Sequence, residues 1–330
     1  MATPTNFAAA FAGLVDLASE RIGGRALAAS DDFFAEKENL LKPGRGVFID
    51  DKYTERGKWM DGWESRRKRV PGHDWCVIQL GLAGVIRGVD VDCNHFLGNA
   101  PAFVSLEAGR TADGPWTEIL SRAPVNPGAQ NLFGIASVET WTHVRLHIYP
   151  DGGVARFRVY GEVTPDWTAV PRGQLVDLAA LQYGGRAVAC SDMFFSSMNN
   201  LLMPGRSGNM GDGWETRRRR GPGHDWVIIQ LGRPGAVRKL EVDTNHFKGN
   251  YPDTCSMDGC HAPGQAVDAL TWTQFTWKEL LPRQKLQPHT QHFLEKEIVD
   301  IGPVSHVRLN IYPDGGVSRL RVHGSPAPNT

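Results

Sequence analysis

A chain of 330 residues is long enough for two domains at roughly 100–200 residues each. Its 36 Lys and Arg balance 36 Asp and Glu, with an isoelectric point near 7.2, which argues against a nucleic-acid partner or an anionic membrane surface. No apolar run approaches the roughly 18 residues of a membrane span, and five cysteines, an odd number, do not make a disulfide framework and point to a reducing cytoplasm.

The opening stretch, MATPTNFAAAFAGLVDLASE, has a short apolar patch but no basic leader, and Asp16 and Glu20 follow it at once. It does not read as a secretory signal. LVDLA suggests a short helix, and it is also the first sign that the chain is written twice. LVDLAS at 14–19 returns as LVDLAA at 175–180, and LLKPGR at 40–45 as LLMPGR at 201–206. DGWESRRKRVPGHDWCVIQLG at 61–81 returns as DGWETRRRRGPGHDWVIIQLG at 212–232. The two runs differ only at Ser65/Thr216, Lys68/Arg219, Val70/Gly221, Cys76/Val227 and Val77/Ile228. NHFLGN at 94–99 matches NHFKGN at 245–250, and HVRLHIYPDGGVARFRVYG at 143–161 matches HVRLNIYPDGGVSRLRVHG at 306–324. A period this long is a duplicated domain rather than a solenoid. We divide the chain as 1–165 and 166–330, joined near Thr164-Pro165-Asp166, with the tail SPAPNT expected to be disordered. The first copy carries about ten extra residues around VFIDDKYTERGKWM, and the second about twelve between Asn250 and Tyr312, as suits surface loops.

Within each copy the patterns are those of strands. VIIQLG is a short apolar run, as expected for a strand covered on both faces. Leu240 and Val242 alternate with Lys239, Glu241 and Asp243, and Val307, Leu309 and Ile311 with Arg308 and Asn310, as in half-buried strands. Tyr312-Pro313-Asp314-Gly315-Gly316 then makes a tight turn in which glycine supplies positive φ. Short strands and many turns, with 37 Gly and 21 Pro, give an all-β reading: a tandem duplication of a jelly-roll β-sandwich.

The polar motifs lie between these strands. The arginine run Arg217–Arg220 is interleaved with Asp212, Glu215 and Asp225, so it reads as an ion-paired loop or as a holder for a small carboxylate. His224-Asp225 and its twin His73-Asp74 stand where a loop enters a strand. A histidine beside a carboxylate is a candidate general acid or base, or a hydrogen-bonded structural residue. In Asn245-His246-Phe247-x-Gly249-Asn250 the glycine allows a turn, and the amides suit a urea or amide group. Cys255, Cys260 and His261 lack standard zinc spacing and a fourth ligand. No hydrolase triad order, HExxH, phosphate loop or dinucleotide fingerprint is present.

The doubled set DGWE(S/T)RR(K/R)R…PGHDW…QLG, NHF(L/K)GN and YPDGGVxR resembles the allantoicase family over nearly the whole chain. The resemblance implies two jelly rolls like galactose-binding domains, assembly as a homo-oligomer, and hydrolysis of allantoate to ureidoglycolate and urea in allantoin and purine breakdown. Matched by motif, the implied acid–base residues are His246, His224, Glu215 and Asp225, with twins His95, His73, Glu64 and Asp74. The implied substrate-binding residues are Trp214, Arg217, Asn245, Asn250 and Arg319, with twins Trp63, Arg66, Asn94, Asn99 and Arg156. Arg217 or Arg319 would hold the substrate carboxylate, and the asparagines its ureido groups. No cofactor is evident; a divalent metal such as Mn²⁺ would suit histidine and carboxylate ligands, but no ligand triad stands out. The second copy reads GNYPD where the first reads GNAPA, so the first is expected either to be degenerate or to complete a site made by the second. The rival readings are a non-catalytic tandem carbohydrate-binding protein and a purely structural oligomer.

Overall fold

Each copy is built around one 19-residue strand, Asp74–Asp92 in the first and Asp225–Asp243 in the second. The computed structural model describes residues 11, 13–171 and 173–328; most of the stretch read for a leader, and the last two residues of the tail, lie outside them. The long strand serves two layers. Its first half, Asp74–Gln79, pairs with Thr140–Tyr149 on one side and Arg25–Ala29 on the other. Its second half, Gly84–Asp92, pairs with Arg156–Val163 and, from Gly88 onward, with Gln130–Gly134. Phe103–Gly109 and then Thr117–Pro124 extend the first layer beyond Thr140–Tyr149, and Val15–Asp16 edges the second. Every pairing is antiparallel, and the second copy repeats the same order. The fold is therefore an all-β tandem duplication of a jelly-roll sandwich, a two-layer solution that buries the inward face of every strand.

The patterns read from sequence become the core. Val227, Ile228 and Ile229 are all fully buried, as are Leu240, Val242, Val307, Leu309, Ile311, Leu320 and Val322. Contacts divide the chain into Leu14–Thr164 and a unit of Pro165–Thr330 that also takes the described residues ahead of Leu14. LVDLA is not helical. Val15–Asp16 and Val176–Asp177 are short strands, each followed by a 3-10 turn, Glu20–Ile22 and Leu181–Tyr183. The aspartate decides this: Asp16 Oδ1 accepts from the Ala18 N–H (3.2 Å) and the Val159 N–H (3.0 Å), a competitor to helical bonding. The tail is also more ordered than expected. Ser325 and Pro326 continue the last strand, and Ala327 N–H donates to Pro234 O at 2.8 Å.

The turn after the cis Tyr312-Pro313 bond shows why two glycines are needed. Gly315 has φ 133°, and a Cβ on Gly316 would sit 1.9 Å from a ring carbon of Phe247. Gly152 and Gly153 repeat this against Phe96. The turn thereby locks onto the NHF loop, and both end at the same rim of the sandwich.

One buried acid has a pH consequence. Asp90 is 2% exposed; its Oδ2 accepts from Gln130 Nε2 at 2.8 Å, while Oδ1 is buried without a partner among the described residues. Burial above all, with the nearby Asp92 charge adding, pushes its carboxyl up from 3.8 to about 7. A carboxyl raised on folding binds its proton more tightly in the native state, so its penalty is absent below pH 4 and complete above pH 7. Asp90→Asn is expected to gain about 2–3 kcal/mol more over the parent at pH 8 than at pH 5. Denaturant unfolding at the two pH values checks this, and an equal change at both would contradict it.

Candidate functional site

Many of the repeated motif residues are hydrogen-bonded or ion-paired within the loops. The fully buried Trp63 and Trp214 donate their indole N–H to Asp31 O and Asp192 O, each at 2.8 Å. The same two aspartates accept from the main chain and guanidinium of Arg66 (2.9 and 2.7 Å) and Arg217 (2.8 and 2.9 Å). Although burial opposes it, these donors hold both carboxyls below the usual range. Arg45 and Arg206, from the repeated PGR, clamp Asp92 and Asp243 at the end of each long strand. Those carboxylates also accept the N–H of Asn94 and Asn245, whose amides donate to Gly46 O and Ser207 O. Arg156 and Arg319 are buried, with their outer nitrogens on Asp61 and Asp212 and on carbonyls.

In the NHF loop the left-handed residue is the histidine, not the glycine: His95 has φ 67° and His246 φ 68°. Histidine is among the non-glycine residues that tolerate this region. His246 Nε2 meets Ser207 O at 2.9 Å, and its N–H donates to His289 Nδ1 at 2.8 Å. His95 stacks on Phe48, ring centroids 5.5 Å apart, a residue of the first copy's insertion.

The residues that do face open space form two adjoining groups. In the second unit a cleft of about 560 Å³ holds Glu215, Arg218, Arg219, Asn250, Tyr251 and Asp253 on its wall. Glu215 accepts from Asn250 Nδ2 at 2.5 Å, which leaves an acid and an amide edge side by side. The first unit's counterpart is smaller, about 330 Å³, and pairs Glu64 with Asn99 at 2.8 Å. Burial raises the Glu64 carboxyl, partly offset by that amide. The insertion supplies Lys58 and Met60 to this cleft, in place of the Tyr251 and Asp253 of the second copy.

The second group is a histidine, a tyrosine and an arginine. A cleft of about 550 Å³, sharing Asp253 and Pro313 with the first, is lined by His224, Tyr312 and Arg283. The His224 and Tyr312 rings are 4.6 Å apart, and the Arg283 guanidinium lies 3.6 Å from the Tyr312 centroid. Among the described residues Arg283 has no carboxylate partner. The first unit repeats the arrangement: His73 is 4.5 Å from Tyr149, and Arg122 is 4.5 Å from Tyr149 and 4.5 Å from Phe103. Asp74 and Asp225 sit just behind. They are buried, each accepting from Ser30 or Ser191 and each paired with Lys68 or Arg219. Ion pairing therefore accounts for the position where Lys68 and Arg219 interchange.

Of the expected residues, His224, Glu215 and Asn250, with Glu64, Asn99 and His95, line these clefts, and His73 lies against Tyr149 as His224 does against Tyr312. Trp214, Arg217, Asn245 and Arg319 are bonded to the loops around them, as are their twins. Sequence reading missed Arg122 and Arg283, because SRAP and LPRQ share too little to register as a repeat. Their signal is register. Phe103 pairs with Pro124, and Thr254 with Lys285, which puts both arginines at the same place on the same edge strand. Among the described residues no three His, Cys, Asp or Glu side chains converge as a metal cage, Cys255, Cys260 and His261 included, and all five cysteines are free thiols. No helix of the described residues is long and apolar enough to cross a membrane.

Comparison with known proteins agrees with this architecture. A family model described as the allantoicase repeat matches twice, at residues 15–164 and 176–327. A probable allantoicase of Burkholderia mallei is 51% identical over 317 residues, covering 94% of each chain. One from Photobacterium profundum is 50% identical over 321 residues, 95% of this chain and 97% of that one. The crystal structure of allantoicase from Saccharomyces cerevisiae superposes with a TM-score of 0.80 at 38% identity, covering 94% of this chain and 93% of that one. Both halves of the chain, and the loops that form its clefts, fall inside these matches: the chain belongs to the allantoicase family.

Proposed function

We propose that the chain hydrolyses allantoate to ureidoglycolate and urea, a step of allantoin and purine degradation, in the cleft of His224, Tyr312 and Arg283 and at the matching cluster of His73, Tyr149 and Arg122. One arrangement supports the placement: a guanidinium without a carboxylate partner among the described residues lies beside a histidine whose Nδ1 is also unbonded. The substrate has one carboxylate and two ureido groups on a single carbon. Arg283 or Arg122 takes the carboxylate, since a planar guanidinium fixes orientation as well as charge. The Glu215–Asn250 and Glu64–Asn99 pairs offer an acceptor and a donor to a ureido group.

The bond broken is that between the central carbon and one ureido nitrogen. Urea leaves with a proton on that nitrogen, and the carbon gains the hydroxyl of water. One proton is taken from water and one is delivered to urea, so a single group that accepts and returns a proton balances the reaction. The exposed Nδ1 of His224 or His73 suits that role. Assembly as a homo-oligomer belongs to the same reading, as does work in a reducing cytoplasm, where five free thiols persist.

The test is urea release from allantoate by purified, folded protein, with and without EDTA, beside a light-scattering mass. Urea in the untreated arm, from a multimer, is the expected result. No urea in either arm overturns the activity, and a loss confined to the EDTA arm assigns a metal requirement.

A further inference from the structure

The histidines of the two units are backed by different groups. His73 Nε2 lies 2.8 Å from His147 Nδ1, and His147 Nε2 lies 2.8 Å from Glu107 Oε2. In the second unit the twin positions hold Asn310 and Asp258. His224 Nε2 meets Asn310 Oδ1 at 3.3 Å, and Asn310 Nδ2 donates to Asp258 Oδ2 at 2.8 Å. Register makes them twins: His147 stands opposite Trp75 and Asn310 opposite Trp226, while Glu107 pairs with Arg145 and Asp258 with Arg308.

Both chains hold the outer histidine in the same tautomer. Glu107 accepts the Nε2–H of His147, so His147 Nδ1 accepts the Nε2–H of His73. Asn310 turns its amino group to Asp258, so its oxygen accepts the Nε2–H of His224. Among the described residues the Nδ1 of each outer ring has no hydrogen-bond partner, so its lone pair is left free. The chains differ in where an added proton can go: an imidazole takes a second proton, and an amide does not.

We propose that His147, backed by Glu107, is a positioning residue that makes the first unit a two-imidazole proton store, and that this unit carries the larger share of turnover. A proton reaching His73 Nδ1 releases the Nε2 proton to His147 Nδ1. The imidazolium formed on His147, only 10% exposed, is paired with Glu107 Oε2, which Arg145 also holds at 2.6 Å. The reverse transfer returns the proton through His73 to the leaving nitrogen, and nothing is oxidised or consumed. Lys68, Asp74 and Arg145 surround His73, with Tyr149 against its ring and Arg122 over Tyr149. Burial, then His147 and Lys68, hold His73 below the usual imidazole range, and burial, with the Arg145 charge, holds His147 down against the pull of Glu107. At neutral pH the store is therefore empty and ready to accept.

This inference rests on the proposed hydrolysis, and its test separates the two. His147→Asn rebuilds the second unit's chain in the first. It is expected to lower kcat about tenfold, a part of what an acid–base group supplies, with KM within about twofold. It also removes a group that holds His73 down, so the acid limb of the kcat–pH profile moves to higher pH. Adding Asn310→His and Asp258→Glu to that variant, which grafts the store onto the second unit, is expected to restore part of kcat. An unchanged kcat and pH profile in His147→Asn, or equal losses from His73→Asn and His224→Asn, overturns the inference. If the parent releases no urea, the hydrolysis reading is what fails. The store is then read by imidazole ¹⁵N NMR titration, where coupled uptake of one proton by His73 and His147 is expected and two independent titrations overturn it.

Discussion

Arg319→Leu is expected to cost about 3–5 kcal/mol of folding stability, the usual loss when one partner of a buried ion pair is removed. Arg319 is 2% exposed. It donates to Gly205 O at 3.1 Å, to Ser318 O at 2.7 Å, to Asp212 Oδ2 at 2.9 Å and to Asp212 O. Burial lowers its guanidinium to about 10, which still leaves it charged at neutral pH. Leucine fills part of the space but removes the guanidinium from the Asp212 carboxylate, which keeps the Gly208 N–H, and from the Ser318 and Asp212 carbonyls. The contrast is Arg217→Leu. That side chain is 65% exposed and its pair with Asp192 is solvent-screened, so a loss below about 1 kcal/mol is expected. Urea unfolding of both variants decides between scaffold and ligand clamp. A stable, folded but inactive Arg319→Leu would return that arginine to the substrate.

Alanine at both Arg122 and Arg283 is expected to lower kcat/KM for allantoate about 10²-fold or more, because a misplaced substrate forfeits the gain from orientation. Neither guanidinium has a carboxylate partner among the described residues, and each lies over a tyrosine ring. Stability is expected to change little, since no buried partner is stranded. Lysine at the same positions keeps the charge but not the bidentate fork, and is expected to recover only part of the loss. Steady-state kinetics on the single and double variants, with circular dichroism to confirm folding, makes the measurement. Activity within about twofold of the parent in the double variant would remove the arginines from the site.

The duplication, the strands and the turn glycines were legible along the chain because each is a local pattern. Alternation at Leu240 and Val242 is a property of adjacent residues, and so is the need for Gly315 in a turn of positive φ. LVDLA misled because its helical look depends on composition, whereas Asp16 is claimed by Val159, far along the chain. The NHF loop misled similarly, since any glycine near a turn looks like the left-handed residue until the backbone shows His246 there.

Sequence alone determined that this chain is two copies of one sandwich, and it supplied the motif residues from which a site had to be drawn. It could not divide those residues into loop supports and cleft walls. Asp192 and Asp212 decide that division by claiming Arg217 and Arg319 across 25 and 107 positions of chain. Only the tertiary structure brought forward Arg283 and Arg122, and only it separated His147 from Asn310 as different backings for the same histidine. The reason is physical: hydrogen-bond donors are finite, and which acceptor wins each one is settled by strand register, not by spacing along the chain.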